Sequence, residues 1–76
     1  MVRLLTAALD GELGDDTAMG DAFTATTANG VQVSGRITEM RRVGKRWMVE
    51  LTLSGMVRRQ LALPLKAGTQ LTWKAP

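Results

Sequence analysis

Odd and even positions carry different kinds of side chain through most of this sequence. Val31, Val33 and Ile37 alternate with Gln32, Ser34, Arg36 and Thr38. Trp47, Val49, Leu51 and Leu53 alternate with Met48, Glu50 and Thr52, and the parity of Val57, Leu61 and Leu63 continues in Leu71 and Trp73. A period of two puts one face of each segment on a core and the other in water. Four short runs of this kind, joined by turns, confine the chain to the all-β class and to a small antiparallel barrel or sandwich.

The intervening residues read as turns. Asn29-Gly30 lies between a Thr-rich run around Phe23 (Ala22 to Thr27) and Val31, and Asn-Gly is a strong two-residue hairpin signal because both positions tolerate φ > 0. Gly44 centres a basic turn, Arg41 to Arg46, while Ser54-Gly55 and Ala67-Gly68 punctuate the later strands. Pro64 cannot donate to a ladder, so its strand ends or lies at an edge there. Gly35 interrupts the core parity of its strand, which marks a bend, a bulge or a close backbone approach. Gly11 to Gly20 is a polar loop without regular structure. Val2 to Leu9 fits either of two readings. Apolar residues at 2, 5 and 9 keep roughly helical spacing, whereas Leu5, Ala7 and Leu9 make one face of a strand, which is preferred slightly. Five or six strands with short connections fit an SH3-like or OB-like barrel.

Seventy-six residues make one domain. A chain of this size buries about 60–65% of the surface its unfolded form exposes, and such domains often add a disulfide, a metal or a partner subunit. Cysteine and histidine are both absent, which excludes disulfides, thiolate ligands and the commonest zinc sites. A compact barrel standing alone or an oligomer is left. The oligomer is preferred, because an open strand edge is a liability that pairing between subunits removes. No apolar stretch approaches the ~20 residues of a membrane span. The start, Met1 to Leu9, has the flavour of a leader, but acidic residues follow it in place of a small-residue cleavage site. A cytoplasmic location is expected, or a periplasmic one if a leader has been removed.

Charge is unevenly placed. Residues 1–21 set one arginine against five carboxylates, a net of −4, and residues 22–76 set nine Lys/Arg against Glu39 and Glu50, a net of +7. A basic body behind an acidic leading segment suggests a polyanionic partner or an intramolecular cover over the basic face. The plainer alternative is an ordinary mixed surface. No catalytic constellation is present and no cofactor is implied. Asp15, Asp16 and Asp21 share one loop but lack the alternate spacing of calcium ligands, so a solvated loop is expected. Glu39 and Glu50 would face each other across a hairpin centred on Gly44 and Lys45, where ion pairs with neighbouring cations are a better reading than an acid/base pair.

The candidate binding residues are therefore basic. Arg41, Arg42, Lys45 and Arg46 crowd one hairpin tip, Arg58 and Arg59 open the next strand, and Arg36 is a weaker candidate. On one rim these side chains would make an electrostatic footprint for the phosphates of RNA or DNA. The alternative is a charged turn that keeps an edge from pairing wrongly. Trp47, Trp73 and Phe23 have core parity, so no exposed stacking platform is expected. Binding would then rest on backbone contacts, with strong salt dependence and weak sequence preference.

Two stretches resemble known families. In Phe23 to Met40, the positions Asn29, Gly30, Val31, Val33, Gly35 and Ile37 resemble the first motif of the Sm-like family, which includes bacterial RNA chaperones. The resemblance covers about 18 residues and implies a five-strand bent barrel, a ring of subunits joined edge to edge, and RNA binding. Arg41 stands where that motif carries an acidic residue, and 57–64 has no convincing match to the family's second motif. From Leu4 to Ile37, the runs Gly20 to Ala25 and Val33 to Ile37 resemble β-rich bacterial envelope domains, including some from conjugation channels. That likeness implies a periplasmic interaction module without catalysis. The leading expectation is a non-catalytic nucleic-acid-binding barrel. The alternatives are a structural or protein-interaction module of an envelope or phage-like assembly, and a small oligomeric enzyme with a pocket shared between subunits.

Overall fold

The computed structural model describes residues 3–55 and 58–75. Val2, in the segment that fits strand or helix, and Val57, read as strand from its parity, lie outside them. Six strands form one antiparallel sheet: β1 (Arg3–Leu9), β2 (Ala22–Thr27), β3 (Gln32–Val43), β4 (Arg46–Leu53), β5 (Arg59–Leu63) and β6 (Gln70–Ala75). Their spatial order is β5-β4-β3-β2-β1-β6. Residues 3–9 are thus the strand, not the helix, and no described helix is long and apolar enough to cross a membrane.

Curling follows from the order. In a flat sheet β5 and β6 would lie five spacings apart, about 24 Å. The connection from Leu63 to Gln70 would span that only if fully extended, and it contains a turn in which Thr69 N–H donates to the Lys66 carbonyl at 3.1 Å. The sheet therefore rolls into a nearly closed barrel. One face supplies the core: Leu9, Phe23, Ile37, Val49, Leu51, Leu53, Leu63, Leu71 and Trp73 are all buried, and among the described residues no polar or charged residue is. These residues carry the odd parity read from the sequence.

The β2–β3 turn departs from the two-residue expectation. Thr26 is opposite Gln32 and Ala25 opposite Val33, so three residues, Ala28-Asn29-Gly30, form the loop. Gly30 alone has positive φ, +83°, and its N–H donates to the Thr27 carbonyl at 2.9 Å. The core pattern demands this length. A two-residue loop would set odd residues of β2 against even residues of β3 and turn Phe23 and Ile37 to opposite faces.

Gly35 realises the close-approach reading. It is directly opposite Phe23, and a β-carbon at Gly35 would sit within 2.7 Å of the ring carbons Cε1 and Cε2. The irregularity comes three residues later. Ile37 is opposite Leu51 while Glu39 is opposite Glu50, so Thr38 is an extra residue in the strand. Such a bulge bends the strand and reverses the sense of its alternation. Before it, Val33, Gly35 and Ile37 face inward. After it, Met40 is opposite Val49 and Arg42 opposite Trp47.

The acidic loop has no strand, as expected, but it is tied down. Leu13 is 6% exposed and exchanges backbone hydrogen bonds with Leu65 at 2.8 and 2.7 Å. Gly20 N–H donates to the Ile37 carbonyl, and Ile37 N–H donates to the Asp21 carbonyl. The loop thus zips onto β3 as far as the bulge and no further. Beyond Thr38, among the described residues, β3 pairs with β4 alone.

Candidate nucleic-acid interface

The second half of β3 and the start of β4 make a two-stranded arm closed by a two-residue turn, with Val43 opposite Arg46. Gly44 takes φ +63° at the first turn position, the position where a tight type II′ hairpin needs glycine. Arg41, Arg42, Lys45 and Arg46 are all exposed on this arm. Alternation divides them. Arg41, opposite Met48, and Arg46 share the outer face, Arg42 lies on the inner face opposite Trp47, and Lys45 occupies the turn. Within 41–46 there is no acidic residue. Among the described residues none of the four is in an ion pair.

The other three candidates lie elsewhere. Arg59 is opposite Leu51 and Arg36 opposite Thr52. Five positions of β4 separate Leu51 from Arg46, about 16 Å at ~3.3 Å per residue. A single rim holding all the cations is therefore not formed. This second group is also more engaged. Arg36 Nη1 donates to the Gly20 carbonyl at 3.0 Å, and Arg58 Nη1 lies 3.7 Å from Glu50 Oε1. The Arg58 side chain is 72% exposed against 14% for Glu50, so this pair contributes little to stability by itself.

Between the two groups lies an acidic row. Glu39 and Glu50 do face each other across the hairpin. Like charges so placed repel. Glu50 is compensated by Arg58 and by the bulge residue, whose Oγ1 donates to Glu50 Oε1 at 2.9 Å. A cleft of about 60 Å³ opens here, lined by Glu39, Met40, Arg41, Met48, Val49, Glu50 and Gln60. Among the acidic loop residues, Asp21 accepts from the Ala18 N–H at 2.9 Å and Asp10 from Gln32 Nε2 at 3.1 Å. No three carboxylates among the described residues converge as a cation site would require. The loop precedes β2 and so lies at the same end of the sheet as the arm. No ion pair among the described residues joins it to the arm.

The aromatic residues do not all behave alike. Trp73 and Phe23 are 2% and 7% exposed. Trp47 is only half-buried, packed on the core from one side and opposite Leu63 on β5. The Arg42 guanidinium lies over its ring, 5.9 Å from the centroid, while Arg42 Nε donates to the Gly44 carbonyl at 3.3 Å. Parity alone placed Trp47 inside. Its position one residue after the basic turn was the signal for partial exposure.

Comparison with protein-family models, with curated proteins and with solved structures finds no match to this chain.

Proposed function

We propose that this protein is a non-catalytic binding module that takes the phosphate backbone of a nucleic acid on the β3–β4 arm. The observation that carries the reading is four exposed cations within six residues of a two-stranded arm, none in an ion pair among the described residues. Internally neutralised surfaces do not attract polyanions, but an uncompensated one releases counterions when phosphates dock. Arg41, Arg42, Lys45 and Arg46 make the primary contacts. Arg36, Arg58 and Arg59 make secondary contacts, weakened at Arg36 by the Gly20 carbonyl and at Arg58 by Glu50.

The test is a fluorescence-anisotropy titration with RNA and DNA oligonucleotides at 50 and 200 mM salt. Four phosphate contacts on a single strand give a slope of about −3 in log K against log salt, so affinity falls about 50-fold over this range. Absence of binding at 50 mM removes the proposal.

A second reading, assembly of subunits through strand edges, is supported by a separate observation. β5 and β6 end the strand order, and β3 past Thr38 has one edge without a partner strand among the described residues. Light scattering separates the outcomes: a closed oligomer favours edge pairing, and a monomer leaves the arm's cations to guard its own edge.

A further inference from the structure

We infer that Trp47 is a base-stacking site, so that the nucleic acid held by the arm is single-stranded. This deepens the reading above and rests on it. The inference starts from what covers the indole. One side of Trp47 is fixed by the core and by Leu63, so the ring is held rigidly. The side toward the arm carries a planar cation, the Arg42 guanidinium, at 5.9 Å from the ring centroid. That distance is at the outer limit of cation–π attraction, and Arg42 is itself exposed. The ring therefore already accepts a flat, delocalised group from solvent, held loosely by its cross-strand neighbour and one 3.3 Å hydrogen bond to the Gly44 carbonyl.

A nucleobase is the other flat group that suits this surface. Base–aromatic stacking is stronger than an exposed cation–π contact, so a base displaces the guanidinium. Arg42 then turns outward to the phosphate of the stacked nucleotide, beside Lys45 in the turn. The exchange keeps the cation in use and leaves Arg41 and Arg46 on the outer face for the flanking backbone. A duplex cannot make it, because its base faces are buried in the stack. The other tryptophan supplies an internal control. Trp73 is 2% exposed in the core, so a change in indole emission on binding reports Trp47.

The experiment titrates the full chain at 50 mM salt with oligo-dT and with a duplex of equal phosphate count, following anisotropy and tryptophan emission together. The expected result is at least five-fold tighter binding of the single strand, with quenching of the Trp47 emission. Trp47→Leu should weaken single-strand binding about 5- to 150-fold and leave duplex binding unchanged. If that variant does not fold, the wild-type emission and the strand preference decide the matter unaided. Binding without quenching, or equal affinity for the duplex, overturns the stacking site while leaving the phosphate-binding arm intact. Failure of either nucleic acid to bind overturns both.

Discussion

The two halves of β3 are one strand put to different uses. From Gln32 to Ile37 it pairs with β2 along Gln32–Arg36 and with β4 from Gly35 onward, with Ile37 buried and Gly35 beneath the Phe23 ring. From Glu39 to Val43 it has β4 alone for a neighbour among the described residues and carries exposed arginines. One extra residue, Thr38, separates them. The first half is constrained on both edges and one face, so its sequence answers to packing. The second is constrained on one edge, so its sequence is available for charge. Stability should therefore depend on the first half and binding on the second.

Substitutions in the barrel half should show the largest effects on stability. Leu51→Ala, opposite Ile37 and fully buried, should cost about 3–4 kcal/mol in urea denaturation. Gly35→Ala drives a β-carbon into the Phe23 ring and should cost about 2 kcal/mol. The double variant with Phe23→Ala should cost less than the sum of the singles, because one clash is shared. At the boundary, Thr38→Val removes the hydroxyl that Glu50 Oε1 accepts and should cost about 1 kcal/mol by the same measurement. On the arm, replacing Arg41, Arg42, Lys45 and Arg46 together by Gln should move stability by less than about 0.5 kcal/mol. A loss of several kcal/mol from that variant would show that the arm is structural and break the comparison. A gain instead of a loss is expected at Thr52, whose hydroxyl is buried without a partner. Thr52→Val should raise stability by about 0.5 kcal/mol.

How far the chain could be read from its residues follows the same division. Alternation located β4, β5 and β6, because Trp47 to Leu53, Leu61 to Leu63 and Leu71 to Trp73 obey one period in a packed setting. It left β1 ambiguous, since alanine and leucine in Leu4 to Leu9 suit either period. It did not reveal the bulge, which no glycine marks. The trace was Met40, an apolar residue at an odd offset from Ile37, out of phase with the strand before it. Leu13 gives no sequence signal, because one apolar residue in a polar loop has no period, although it closes the end of the core against Leu65. Of the candidate binding residues, charge density on the hairpin was legible from 41–46 alone. The distance from Arg46 to Arg59 was not, because it depends on which end of β4 each arginine meets.

The most direct measurement of the central claim is the salt dependence of oligonucleotide affinity for three proteins: wild type, the four-fold Gln variant of the arm, and Arg58→Gln/Arg59→Gln. The slope of log K against log salt should fall from about −3 to near zero in the arm variant and change by less than about 1 in the double variant. An arm variant that keeps both the affinity and the slope of the wild type would contradict the assignment of binding to residues beyond Thr38.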